Sequence, residues 1–114
     1  ITCLANDTGY DNIYSHQLKV KARPEDLLIV LSGSGNSSNV VKAIETASQI
    51  GLRSYAIVAF NGGLCKEKAD QAIHFQVNDM QIAEDTQLVV GHICMQWLTA
   101  NKPSTLDQSI NDRN

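Results

Sequence analysis

The chain has 114 residues, 43% of them apolar and 18% charged, with a net charge of −3. Such a chain is one domain at most, has enough apolar content for a real core, and is too weakly charged to be disordered. With no basic stripe it is not built to bind nucleic acid directly, and no apolar run approaches the ~18–20 residues of a membrane span.

In chain order, the first apolar run is Ile1-Thr2-Cys3-Leu4, which reads as a strand. It carries no charged leader or long apolar stretch of a signal peptide. Because the chain opens without Met and inside this run, an N-terminal portion is expected to be missing. A helical pattern over 7–20 follows, with Pro24 blocking its continuation into the second run, 27–31. Then come the small and polar residues Ser32-Gly33-Ser34-Gly35-Asn36-Ser37 and a helical pattern over 38–50, with Val40, Val41, Ala43, Ile44 and Ala47 at helical spacing. Gly51 stands where a helix C-cap is expected. A third strand is predicted over 55–59, a turn at Asn61-Gly62-Gly63, a helix over 64–69, a fourth strand over 72–77 and a final helix over 81–99. Residues 100–114 are polar, lack an apolar period and read as a mobile tail after a domain spanning 1–99.

Strand–helix alternation predicts βαβ units, a parallel sheet and helices on both faces, with any ligand beyond the carboxyl ends of the strands. The second and third runs are apolar throughout, as centrally buried parallel strands are. Three polar segments would share that edge: Asn6-Asp7, the 32–37 loop and Asn61-Gly62-Gly63. The loop is the chemically richest. Glycines let backbone N–H groups approach a ligand, the serines add hydroxyls, and a helix start supplies unpaired N–H groups with partial positive charge. Phosphate is the natural guest, although an ordinary βα turn with an N-cap also fits. The loop lacks the Lys and spacing of a Walker A motif and the third glycine of a dinucleotide fingerprint. Cys3, Cys65 and Cys94 are odd in number, widely spaced and without a CxxC pair, which fits reduced thiols in a cytoplasmic protein.

Asn6-Asp7-x-Gly9-Tyr10, then Ser32-Gly33-Ser34-Gly35-Asn36-Ser37-x-Asn39-Val40, then Asn61-Gly62-Gly63, then a last helix carrying His92 occur in the order found in sugar isomerase (SIS) domains. Over about residues 1–98 the chain resembles that family, and within it the phosphoheptose isomerases. The resemblance implies a three-layer α/β/α sandwich with a flavodoxin-like parallel sheet, here without its first strand and N-terminal helices. It implies interconversion of sedoheptulose 7-phosphate and a glycero-manno-heptose 7-phosphate in a homotetramer with sites at subunit boundaries. Ser32, Ser34 and Ser37, with the N–H groups of Gly33, Gly35 and Asn36, would hold the sugar phosphate, and Asp7 would lie close to the sugar. His92 would be a catalytic, metal-associated histidine. Glu84 would stand where the family usually has a metal-binding glutamine, and the metal would be a divalent ion such as zinc. Two positions depart from the family pattern: Gly33 replaces a usual Thr and Gln81 a usual Asp. The family's Gly-Asn-Gly-Gly-Ser loop and its catalytic glutamate have no counterpart in the chain.

From periodicity alone, His92 within an apolar stretch reads first as a hydrogen-bonded core residue; the resemblance favours function. Glu84 and His92 lie eight residues apart, about 12 Å along a helix, at the limit of shared reach to one metal. Glu84 and Asp85 are otherwise simply acidic residues of a first turn. His16, His74, Tyr10 and Tyr14 read as packing or surface residues, Lys66-Glu67-Lys68 as a solvated charge run, and Trp97 as core or subunit interface. Three functions stay open: a phosphoheptose-type isomerase, a non-catalytic SIS module that binds a phosphosugar or a protein partner in regulation (as replication-initiation regulators do), and an isomerase or lyase for another phosphosugar.

Overall fold

Two apolar runs and a short third strand build a parallel sheet in the order β1-β2-β3. The computed structural model describes residues 1–102. β1 (Leu27–Ser32) pairs with β2 (Arg53–Val58) from Leu27↔Arg53 to Ser32↔Val58, and β2 with β3 (Gln71–His74) from Tyr55↔Gln71 to Val58↔His74. The register aligns the carboxyl ends of the strands, so the segments leaving β1 and β2 emerge side by side.

Helix α3 (Ser38–Gln49) buries Val41, Ala43, Ile44 and Ala47, the expected apolar face. Val41 and Ile44 pack against Val30, Ala56 and Val58 of the sheet and Cys65 of helix α4 (Gly63–Lys68). The end of α3 is a Schellman motif: Leu52 N–H reaches the Ala47 carbonyl at 2.9 Å and Gly51 N–H the Ser48 carbonyl at 3.3 Å. Gly51 supplies the required left-handed residue at φ 81°. Helix α5 (Met80–Ala100) takes the opposite face of the sheet. Its start is capped by Asp79, whose Oδ1 accepts from Ile82 N–H at 3.0 Å. Ala83 and Gln87 are its buried residues, and Gln87 Nε2 donates to the Ile57 carbonyl at 3.0 Å. Helices thus cover both faces, as the alternation of elements predicts.

Several expectations need correction. Residues 1–4 are not a strand; they lead helix α1 (Thr2–Thr8), in which the Thr8 hydroxyl donates to the Leu4 carbonyl. A four-residue apolar run is too short for its periodicity to distinguish strand from helix. Asn6 and Asp7 therefore lie in a helix, not in a loop leaving the sheet. The helix expected over 7–20 is interrupted at Gly9, whose φ of 86° ends α1. A 3-10 turn (Tyr10–Asn12) and helix α2 (Ile13–Lys21) follow, and α2 buries Ile13 and Ser15. Among the described residues the sheet has three strands, not four. β1 is consequently an edge strand rather than a central one, and Leu27, Ile29 and Leu31 are 54%, 56% and 54% exposed. Ala100 closes α5, and residues 103–114 of the expected tail lie outside the described residues. No helix among the described residues is long and apolar enough to cross a membrane.

Candidate functional site

The 32–37 loop leaves β1 at the carboxyl edge of the sheet and runs into α3. It is locked against the segment leaving β2. Ala59 N–H donates to the Gly33 carbonyl at 2.9 Å and Cys65 N–H to the Gly35 carbonyl at 2.8 Å. Gly35, at φ 70°, lies so close to the second segment that a Cβ there would meet the Gly62 carbonyl oxygen at 1.9 Å. Only glycine admits that backbone-on-backbone contact.

The polar side chains of the loop divide into two groups. Ser32 is buried; its hydroxyl accepts Gly35 N–H at 3.1 Å and hydrogen-bonds the Cys65 thiol. Burial pushes that thiol up, with Ser32 opposing, so Cys65 is a protonated core residue. Asn36 braces the neighbouring turn, its Oδ1 accepting from Leu64 N–H at 3.1 Å and its Nδ2 donating to the Ser34 carbonyl at 3.2 Å. Ser34 Oγ accepts Asn36 N–H at 3.3 Å. Ser37, exposed at the N-cap position of α3, makes no side-chain capping bond. Its hydroxyl, the Ser34 hydroxyl proton and the first N–H groups of α3 are left to donate to a ligand.

Several residues around the loop are not evident from the sequence. The Ser38 hydroxyl donates to Asp11, which ties the 3-10 turn to the start of α3, and Lys42 Nζ lies 3.8 Å from Asp11 and 3.2 Å from Asn12 Oδ1. Phe60 adopts φ 49° just after β2. Its carbonyl bonds His74 Nε2 at 2.8 Å, and His74 Nδ1 bonds Lys66 Nζ at 3.1 Å. With the lysine donating to Nδ1, Nε2 carries the ring proton and donates to Phe60, so His74 is structural. Met80, the first residue of α5, lies directly over Gly33.

Asp7 is exposed on α1, where the Asn6 amide and then the Cys3 thiol hold its carboxyl below the ordinary aspartate range. Glu84 and His92 are both exposed on α5. No group of three or more His, Cys, Asp or Glu suited to a metal occurs among the described residues. The described residues thus do not by themselves make a metal site. His92 stands twelve residues beyond Met80, about 18 Å along the helix axis, so the loop and the histidine are not brought together within the chain. A cavity of about 740 Å³ lies elsewhere, along the open flank of β1, where Tyr14 and Leu18 of α2 face Leu27 and Ile29. It is lined by none of the residues of the loop.

The chain is thus a parallel α/β sandwich with a serine- and glycine-rich loop at the carboxyl edge of its first strand. The SIS domain family profile matches residues 1–59, and the chain belongs to that family. It is similar to the phosphoheptose isomerase of Akkermansia muciniphila, 39% identical over 93 residues that make up 82% of this chain and 49% of the relative. It is also similar to the phosphoheptose isomerase of Chlorobaculum parvum, 35% identical over 97 residues, 84% of this chain and 46% of the relative. The chain therefore spans about half the length of these curated relatives. Among solved structures, a phosphoheptose isomerase from Neisseria gonorrhoeae superposes with TM-score 0.73 at 28% identity, covering 82% of this chain and 53% of that one. A phosphoheptose isomerase from Francisella tularensis shares the fold, with TM-score 0.78 at 22% identity over 82% of this chain and 52% of the other.

Proposed function

We propose that this chain forms the phosphate-binding part of an aldose–ketose isomerase acting on a seven-carbon sugar phosphate of the sedoheptulose 7-phosphate type. The observation that carries the reading is the loop at the start of α3. The exposed Ser37 hydroxyl and the uncapped N–H groups of α3 are free to donate, while Ser32 and Asn36 are spent on holding the loop in shape. Similarity to phosphoheptose isomerases across more than four-fifths of the chain supports the choice of sugar class.

In this reading the phosphate is gripped by Ser37, Ser34 and the loop N–H groups, with Gly33, Gly35 and Ser32 giving the loop its course. A proton leaves C1 of the ketose, an enediol forms, and a proton is delivered to C2 as the carbonyl moves to C1; no oxidant or reductant is consumed. Two acid/base groups flanking adjacent carbons are needed, and His92 can serve as one of them. Its distance along α5 from Met80 supports the reading that the site is completed by another subunit. A homo-oligomer, a tetramer in the phosphoheptose isomerase pattern, is therefore part of the proposal, as are Asp7 near the sugar and Glu84 as one donor to a divalent ion.

The test uses the full-length protein. Ser37→Ala should weaken binding of sedoheptulose 7-phosphate about tenfold, the effect of losing one hydrogen bond to a charged group. His92→Ala should bind normally while turnover falls about 10²–10⁴-fold. Near-normal turnover in His92→Ala would return that residue to a packing role and favour a non-catalytic phosphosugar-binding module.

A further inference from the structure

The glycine at position 33 is unexplained by its backbone. Its φ lies outside the left-handed region that favours glycine, and its carbonyl makes an ordinary strand-like bond to Ala59 N–H. What stands in the way of a side chain there is Met80. A Cβ on Gly33 would meet Met80 Sδ at 2.4 Å and Cε at 3.1 Å, with Phe60 Cε2 at 4.0 Å. The thioether of α5 thus fills the volume that a residue-33 side chain would take, one residue before Ser34. Met80 remains 40% exposed, so it presents a face to whatever lies on the loop. Phe60 is held beside it through its carbonyl bond to His74.

We infer that Met80 is a specificity-determining residue of the phosphosugar site: with Phe60 it forms an apolar wall beside the phosphate loop, against which the CH₂ group of a primary phosphate ester rests. This rests on the phosphosugar reading above. A polarisable, flexible thioether suits a close contact with C–H groups and offers nothing to a free phosphate oxygen. The site should therefore favour a CH₂–O–phosphate ester over inorganic phosphate, and it does so through a contact that Gly33 makes room for.

The experiment titrates the full-length protein with sedoheptulose 7-phosphate and, separately, with inorganic phosphate. Met80→Ala should weaken the ester about fivefold to tenfold, as loss of a buried apolar contact does, and leave inorganic phosphate within about twofold. Gly33→Ala should give the same pattern, because the added methyl displaces the flexible end of Met80 and not the backbone. The double variant should be no weaker than either single one. Met80→Leu, which keeps an apolar side chain of similar size, should retain most of the preference even if the alanine variant folds poorly. Equal loss for ester and inorganic phosphate, or additive losses in the double variant, would overturn the inference while leaving the phosphosugar reading intact. A wild-type protein that binds inorganic phosphate but not the ester would overturn both.

Discussion

At Gly35 a methyl group has no room: it would overlap the Gly62 carbonyl at 1.9 Å on a backbone already at φ 70°. Gly35→Ala should therefore destabilise the protein by about 3 kcal/mol or more, read from urea unfolding midpoints, because neither peptide can yield without breaking the Cys65–Gly35 bond. Gly51→Ala, left-handed too but with only Pro24 Cβ at 3.8 Å, should cost about 1 kcal/mol. At this scale the sequence was informative about composition and silent about direction. The crowding of Ser32, Ser34 and Ser37 beside glycines marked the loop, but only the fold tells that Ser32 faces Cys65 while Ser37 stays free. Asp11, Phe60 and Met80 reach the loop from segments remote in sequence, and nothing in their local pattern announces the contact.

The strands are pinned by a carboxylate as well as by their ladder. Asp70 Oδ2, just before β3, accepts from Ser54 N–H at 2.7 Å and Ser54 Oγ at 3.0 Å, and Asp70 N–H returns a bond to that hydroxyl at 3.1 Å. The Ser54 backbone bond first, and its hydroxyl second, hold the Asp70 carboxyl below its ordinary value of 3.8. A depressed carboxylate stabilises the fold above its unfolded-state value and loses that effect as pH falls through the lower folded value. Asp70→Asn should thus melt below wild type at pH 7, and the difference should shrink once the pH drops below about 4. Elements with long helical patterns were legible: α3 and α5 lie within one residue of expectation at each end. The failures came where a short run carried little information, at residues 1–4, or where one positive-φ glycine, Gly9, divided what the apolar spacing joined. The uniform apolarity of β1 asked for burial on both sides, and the described residues cover one.

The molecule as a whole leaves much of α5 bare. Ile93 and Trp97 are 59% and 62% exposed, and every residue from Gly91 to Ala100 is exposed. A helix apolar on more than one side needs a second surface, and a copy of the same protein is the simplest source. Light scattering of the full-length protein at micromolar concentration should give a mass above that of one chain, and Trp97→Glu should shift it towards the monomer. The edge position of β1 has a separate consequence for anyone handling this chain in isolation. Its outer side offers a row of backbone donors and acceptors unpaired by any described strand, bordered by Leu27, Ile29 and Leu31. Such an edge is a template for sheet-to-sheet aggregation. Expressed alone, the 114 residues should become turbid with rising concentration, and Ile29→Lys, which places a charge on that edge, should delay the onset.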